Sequence, residues 1–276
     1  LSLLKTEVEL PENTYEGVGK GIGGDLKVWL EVVDGKMVSL TVTEQSETDF
    51  VAKNDMFQEY VADAALVALM HNGEVCDMKT FQCPKVHKSF EERLTDLIAK
   101  IGENMNLRRA AMLEVSNGVI ASYVHNACKP NLGKIGVLVA LESNGDKAKL
   151  QELGKHIAMH VAASNPQFLT IADVDQASID HEKAIFSEQA KASGKPENII
   201  EKMVEGRIKK YFDEVVLEEQ AYIMDPDKKV KQIVADAAKE MGADIKLKAF
   251  VCFRLGEGLE KRNEDFAAEV ASQLKK

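Results

Sequence analysis

Ile-Gly-Glu-Asn-Met-Asn-Leu-Arg at residues 101–108 and Met-Gly-Ala-Asp-Ile-Lys-Leu-Lys at residues 241–248 are the two stretches that decide the fold. In each, a glycine ends a helix-like run and an alternating apolar–polar run follows, which predicts a helix, its cap and a strand. A strand, a polar loop and a helix precede each copy, at Val38–Met70 and Ile135–Ala163. The sequence therefore predicts an α+β fold of two related subdomains with antiparallel sheets. Chance similarity between two short strand entries is the alternative.

The segments around the first copy have their own local signals. Asp34-Gly35 between two β-rich runs predicts a hairpin of Leu26–Val33 with Met37–Thr43. A helix with apolar positions from Phe50 to Ala68 follows, and residues 71–88 have the breakers of a loop. The further predicted elements are a helix at Glu91–Lys100 and strands at Asn106–Val115, Val119–His125, Ile135–Leu141 and Lys246–Leu255.

Residues 177–211 differ in character from the rest of the chain. Two long polar helical patterns flank Ser193-Gly194-Lys195-Pro196, which is the usual punctuation between helices. They predict a protruding antiparallel helical hairpin. We expect an irregular N-terminal segment at 1–25, an N-terminal core subdomain at 26–128 and a C-terminal core subdomain at 129–276. The last would contain the hairpin as an insertion at about 177–212 and a C-terminal helix at about 264–276.

Composition narrows the class of function. The chain has 276 residues, 45% of them hydrophobic and 29% charged, as in an ordinary globular protein. Its net charge of −10 argues against nucleic-acid binding as the main activity, because such binding relies on clustered Lys and Arg. No apolar run approaches the length of a membrane span. The four cysteines lack C-x-x-C spacing and are expected to be free thiols.

Two motifs suggest chemistry but lack its context. Gly19 to Gly24 satisfies G-x-G-x-x-G, yet a predicted strand follows where a dinucleotide site needs a helix. His156 and His160 have the spacing of a two-histidine metal site, but no third ligand is evident and packing is the better interpretation. No arrangement of Ser, Cys, His and Asp suggests a nucleophile. We expect no catalytic residues, no cofactor and no metal site, and hence no enzyme.

Asp49-Phe50 is a third motif, at the start of a predicted helix. Thr48 or Asp49 can serve as its N-cap. An aromatic ring at the tip is not needed for capping. Phe50 therefore either packs on its own core or projects as an apolar wedge into another protein.

At these residues the chain is similar to the elongation factor Ts family. The matching segments occur in family order, and the residue types in them are specific to it. They are Glu47–Asn54, Lys100–Asn104, Tyr123-x-His125, Lys155–Ser164, Gly194–Pro196, Glu201–Arg207, Gly256–Gly258 and Asp265–Val270.

The resemblance implies a function and a set of partner-binding residues. It implies a guanine-nucleotide exchange factor that binds elongation factor Tu, both GDP-bound and nucleotide-free, and promotes GDP release. The alternative is a stabiliser or chaperone of elongation factor Tu with weak or no exchange activity. The residues that would touch the partner are Thr48, Asp49, Phe50, Val51, Ile101, Gly102, His125, Asp265 and Phe266. Phe50 would be the wedge near the partner's magnesium site.

The resemblance also implies a setting, and the chain departs from the family at three places. The protein would be cytoplasmic in a bacterium, or else mitochondrial or plastid, with no direct nucleic-acid or membrane contact and with self-association through the helical hairpin. The usual first helical module has no counterpart in residues 1–33, so we expect weaker exchange or an incomplete chain. The usual Val-Asn-Cys is Glu44-Gln45-Ser46, and the usual His-Gly-Ala is His125-Asn126-Ala127.

Overall fold

The computed structural model describes residues 28–33, 36–44, 54–83, 86–129, 131–191 and 196–254. The strands are β1 (Val28–Val33), β2 (Lys36–Glu44), β3 (Gln82–Cys83), β4 (Lys88–Ser89), β5 (Met105–Glu114), β6 (Gly118–Lys129), β7 (Leu132–Ser143), β8 (Ala221–Tyr222), β9 (Asp225–Lys229) and β10 (Ile245–Arg254). The helices are α1 (Asp55–Met70), α2 (Val75–Thr80), α3 (Phe90–Ile101), α4 (Lys147–Ser164), α5 (Gln176–Lys191), α6 (Glu197–Val215) and α7 (Val230–Met241).

Two antiparallel three-stranded sheets form the centre of the described chain. Their strand orders are β1-β2-β5 and β10-β7-β6. In the first sheet β5 pairs with β2, and in the second β10 pairs with β7, so the last strand of each half adds to a hairpin formed earlier in the chain. Two small ribbons, β3-β4 and β8-β9, lie between the helices. The α+β class with antiparallel sheets is therefore confirmed.

The two halves repeat one plan, which confirms the predicted internal repeat. In the first half β2, α1, the β3-β4 ribbon, α3 and β5 follow in order, and in the second β7, α4, the β8-β9 ribbon, α7 and β10 do the same. The helices α3 and α7 both end at a left-handed glycine, Gly102 with φ 83° and Gly242 with φ 63°. Only glycine adopts this conformation without a Cβ penalty, which explains both helix ends.

Each sheet packs helices on its outer face. The first core cluster joins α1, α2, α3 and β5 around the fully buried Phe57 and Phe90. The second joins α4 and α7 to β7 around Leu141, Leu150 and Ile157. A third cluster, which includes Leu138 of β7 and Leu113 of β5, fills the space between the inner faces of the sheets.

A β-bulge recurs at the same place in both halves. The register of β5 against β2 shifts between Leu107 and Arg109, and that of β10 against β7 shifts between Leu247 and Ala249. An extra residue reverses the alternation of faces. As a result Leu107 contacts the first cluster and Ala111 the third, although both are odd-numbered positions of one strand.

The helical hairpin is confirmed as α5 and α6. At its base Ile179 packs with Tyr211 and Phe212, and further along Arg207 lies over the Phe186 ring at 5.9 Å. These pairs run in opposite directions along the chain, so the two helices are antiparallel. The base is joined to the body by backbone bonds from Gln167 and Phe168 to the Val215 carbonyl, at 2.8 and 3.1 Å.

Two local predictions were wrong. Residues 71–88 are not a loop throughout, because α2 and the β3-β4 ribbon form there. The helix α1 is capped by Asn54, whose side-chain oxygen accepts from Met56 N at 2.9 Å, and not by Thr48 or Asp49.

The division at residues 128 and 129 stays a prediction. The sheet pairing bears on it, because β6 lies before that boundary and hydrogen-bonds to β7 after it. The segments 1–25 and 264–276 lie outside the described residues, as does the glycine run 19–24.

Candidate partner-binding site

Three of the nine predicted partner-binding residues lie in the described part of the chain. Ile101 and Gly102 end α3, and His125 lies near the end of β6. The other six lie outside the described residues; they are Thr48, Asp49, Phe50, Val51, Asp265 and Phe266.

The sequence of α3 fixes where Ile101 and Gly102 are placed. The Ser89 side chain accepts from Glu92 N at 3.1 Å and the Glu92 carboxylate accepts from Ser89 N at 2.6 Å, a capping box that sets the start of the helix. Gly102 ends it, with its N–H bonded to the Ile98 carbonyl at 2.8 Å. Ile101 packs against the first core cluster, whereas Gly102 is exposed with no atom within 4 Å of a virtual Cβ. The bare backbone at Gly102 can therefore be approached closely by another molecule.

His125 is exposed on β6, with a neighbour on the same face of the strand. Its Nδ1 lies 3.1 Å from the Tyr123 hydroxyl oxygen, and the two ring centroids are 6.1 Å apart. The spacing of two residues along a strand places both side chains on one face. Sequence reasoning identified His125 but assigned no role to Tyr123, although this spacing was visible in the Tyr123-x-His125 motif.

The backbone after His125 accounts for one departure from the family pattern. Asn126 has φ 51°, in the left-handed region where a glycine is favoured and asparagine is the best tolerated alternative. Asn126 in place of glycine therefore keeps the backbone conformation available at this position.

A second residue that sequence reasoning missed, Gly133, lies across from this bend on β7. A Cβ at Gly133 would stand 2.5 Å from Val124 Cγ1 and 2.7 Å from the His125 carbonyl oxygen. The close approach of β7 to His125 thus requires glycine. Only the three-dimensional pairing reveals this requirement.

The β6–β7 hairpin carries His125 toward the end of α3. Leu132, at the start of β7, is fully buried in the first core cluster, and Ile101 packs against the same cluster. The hairpin is anchored to the first half although its strands belong to the sheet of the second half. The structure thus brings the tip of the His125 hairpin and the end of α3 to one cluster.

The packing interpretation of the two helical histidines is confirmed for His160. This side chain is fully buried, its Nδ1 accepts from Ile223 N at 3.3 Å, and its Nε2 donates to Gln220 Oε1 at 2.9 Å. Both ring nitrogens are therefore used within the protein. Burial lowers the pKa of His160, against the smaller raising effect of the Gln220 hydrogen bond.

Neither a metal site nor a membrane helix is found in the part of the chain that the structure describes. No group of three or more His, Cys, Asp or Glu side chains converges within that part. Within the same part, no helix has the length and apolar character that a bilayer crossing requires.

An open groove of about 770 Å³ follows the outer edge of β10, and its lining does not include Ile101, Gly102 or His125. Segment 165–169, Arg109 of β5 and residues 248–253 line it, and the Arg109 guanidinium lies over the Phe253 ring at 4.6 Å. Sequence analysis missed it because three distant segments build it.

The architecture defines a class: an α+β protein of two repeated halves with a projecting helical hairpin and an exposed polar surface at the end of α3 and β6. Residues 47–257 match the sequence model of the family described as "Elongation factor TS". The chain belongs to the elongation factor Ts family of translation elongation factors.

Curated relatives support the same assignment. The chain is 52% identical over 241 residues to Elongation factor Ts of Rhodospirillum centenum, which covers 87% of this chain and 78% of the relative. It is 55% identical over 234 residues to Elongation factor Ts of Paramagnetospirillum magneticum, with 85% and 75% covered. It is 54% identical over 231 residues to Elongation factor Ts of Caulobacter vibrioides, with 84% and 74% covered.

Proposed function

We propose that this protein is a guanine-nucleotide exchange factor that binds elongation factor Tu with GDP, disturbs its magnesium and nucleotide site and promotes GDP release. The observation that carries the proposal is the family match from residue 47 to residue 257, which includes the Thr48-Asp49-Phe50 signature, α3 and β6. The protein carries out no reaction of its own in this proposal.

The partner-binding residues have separate parts in this proposal. Phe50 wedges apart elements of the partner's G domain, and Asp49 helps displace groups that hold the magnesium ion, with Thr48 and Val51 beside them. Ile101, Gly102 and His125 form the supporting surface, which agrees with the exposure of Gly102 and His125. Asp265 and Phe266 contact a second part of the G domain.

The energetics of exchange follow from linkage. If the factor weakens GDP binding, GDP weakens binding of the factor by an equal free energy. Each tenfold gain in release needs about 1.4 kcal/mol of contact made only when the nucleotide site is distorted. Burial of one Phe side chain contributes about 1.5–3 kcal/mol. A single wedge can therefore supply about ten- to a hundredfold in rate.

Release of fluorescent GDP from elongation factor Tu tests the proposal. We expect Phe50→Ala to slow the factor-stimulated release about ten- to a hundredfold, because the wedge contact is lost. Phe186→Ala is the matched control, since Phe186 lies on α5 of the hairpin beside Arg207 and outside the proposed contact surface. With the Phe186→Ala variant, GDP should leave elongation factor Tu at the rate measured with the unchanged protein.

Two outcomes would contradict the proposal in different ways. Equal release rates for Phe50→Ala and the unchanged protein would remove the wedge mechanism. Tight binding to elongation factor Tu without any stimulated release would favour the stabiliser or chaperone function instead. Titration calorimetry with elongation factor Tu measures that binding directly.

We also propose the remaining features that the resemblance implies. The hairpin mediates self-association, and α6 offers a stripe for it in Met203, Val204 and the exposed Ile199. The protein acts in the bacterial cytoplasm and makes no direct contact with nucleic acid or membrane. The two core subdomains meet near residues 128 and 129, where the β6–β7 hairpin turns.

A further inference from the structure

The environment of His125 contains one feature that partner contact alone does not explain. The Tyr123 hydroxyl oxygen lies 3.1 Å from His125 Nδ1, so one of the two ring nitrogens is occupied within the protein. An exposed histidine would otherwise rotate freely and present either nitrogen to a partner. The tyrosine therefore restricts what His125 can offer.

The tyrosine itself is firmly held. Tyr123 packs against the second core cluster and pairs with Val137 of β7, while His125 pairs with Ile135. Both backbone positions are fixed in one sheet, and the phenol ring has the core behind it. Tyr123 can thus act as a rigid support for the imidazole at the exposed end of the strand.

The chemistry of the two groups sets the direction of the hydrogen bond. A phenol O–H is a stronger donor than a neutral imidazole N–H, and an unprotonated imidazole nitrogen is a strong acceptor. When the tyrosine donates to Nδ1, the proton of the neutral ring lies on Nε2. The exposed nitrogen is then a donor.

We propose that Tyr123 is a positioning residue that holds His125 in the Nε2–H tautomer, so that His125 donates a hydrogen bond to a carbonyl or carboxylate oxygen of the partner. This inference rests on the proposed function for its partner, but the tautomer is a property of the protein alone. A structural role of Tyr123 in packing would not require a particular tautomer.

The tautomer is measured on the isolated full chain by ¹⁵N NMR of the His125 ring, at an alkaline pH where the ring shifts no longer change with pH. Tyr123→Phe removes the hydroxyl and keeps the ring. We expect it to lower the ratio of the Nε2–H to the Nδ1–H tautomer about two- to tenfold, the value of one hydrogen bond. Tyr222→Phe is the control, because it removes a hydroxyl that contacts Met224 Sδ at 3.3 Å and not His125. Unchanged His125 ring shifts in Tyr123→Phe would overturn the inference.

A double-mutant cycle tests the partner-facing part. Fluorescent GDP release is measured with Tyr123→Phe, His125→Ala and the double variant. We expect Tyr123→Phe to slow release about two- to tenfold, and to have no further effect when His125 is already Ala. Additive effects would show that Tyr123 acts independently of His125, and this part would then be wrong.

The two experiments separate failure of the inference from failure of the proposed function. If the unchanged protein stimulates no GDP release, the proposed function is wrong, and the ring shifts still decide whether Tyr123 sets the tautomer. If release is stimulated and His125→Ala leaves it unchanged, His125 makes no productive contact and the partner-facing part is overturned.

Discussion

Gly133 shows how a residue without a side chain shapes the candidate surface. The strand β7 passes so close to β6 that a virtual Cβ at Gly133 stands 2.7 Å from the His125 carbonyl oxygen and 3.1 Å from that of Asn126. Backbone oxygens in a paired strand cannot move aside as a flexible side chain would. The position of His125 therefore depends on an unreactive residue opposite it.

We expect Gly133→Ala to lower the free energy of unfolding by about 1–3 kcal/mol, because the added methyl group overpacks this crossing. Urea denaturation measures it, and the amide resonances of His125 and Asn126 should shift. Gly206→Ala is the control: Gly206 lies within α6 with no atom within 4 Å of a virtual Cβ. Because glycine weakens a helix interior, that change should stabilise by about 0.5–1 kcal/mol. Equal effects of the two substitutions would contradict the close approach at Gly133.

At the level of secondary-structure elements, the main feature is the joint where the helical hairpin meets the body of the protein. Gln220 accepts from His160 of α4 and donates to the Glu214 carbonyl at the end of α6, at 2.6 Å. Beside it Lys229 pairs with Asp213 at 2.8 Å and with Glu219 at 2.7 Å. The base of the hairpin is thus bound by a buried hydrogen-bond network and a partly exposed ion-pair network, of which the buried one contributes more per contact.

The joint should weaken in acid. Burial lowers the pKa of His160 below its value of about 6.5 in an unfolded chain, so the unfolded state binds the proton more readily. The stabilisation is fully present above pH ~6.5 and is lost as the pH falls toward the lowered pKa of the folded state, by at most about 1.4 kcal/mol per pH unit. Urea unfolding between about pH 7.5 and pH 5 measures this against His160→Gln, which cannot take up a proton. Parallel pH profiles for the two proteins would disprove the role of His160.

Elements with a strong local signal were predictable, and those made by tertiary contact were not. The glycine after Ile101 and the alternation that follows identified α3 and β5 to within one or two residues. The β3-β4 ribbon has two residues in each strand, too few for any periodicity, and a bond from Phe90 N to the Phe81 carbonyl at 2.9 Å extends its pairing. The sequences of the adjacent strands β5 and β6 likewise did not show that these strands belong to different sheets, because strand pairing is set by long-range contacts.

At the candidate site the sequence identified residues but not their supports. His125 and Gly102 came from the family resemblance, and their exposure is consistent with it. The roles of Tyr123 and Gly133 depend on which strand faces which, and strand pairing is set by long-range contacts. Residues that would contact a partner are therefore easier to predict from sequence than the residues that hold them in place.

At the scale of the whole molecule, the repeat preserves detail beyond the order of elements. Lys88 pairs with Asp96 at 2.5 Å and Lys228 pairs with Asp236 at 2.8 Å, each across the start of the helix that ends at the left-handed glycine. The same interval separates Lys88 from Lys228 and Gly102 from Gly242. These exposed pairs contribute little to stability. Because of the repetition, a substitution in one half can nevertheless be compared with the equivalent substitution in the other half.

Substitutions at the two helix-ending glycines can be compared to separate an effect on folding from an effect on partner binding. Both have positive φ and no atom within 4 Å of a virtual Cβ, so Gly102→Ala and Gly242→Ala should each cost about 1 kcal/mol in the free energy of unfolding, from backbone strain alone. Only Gly102 lies on the proposed contact surface. A loss of about 1 kcal/mol of contact there should slow GDP release from elongation factor Tu about fivefold, while Gly242→Ala leaves release unchanged. Because the two substitutions impose the same strain in equivalent positions, equal release rates would mean that the end of α3 contributes no contact to exchange.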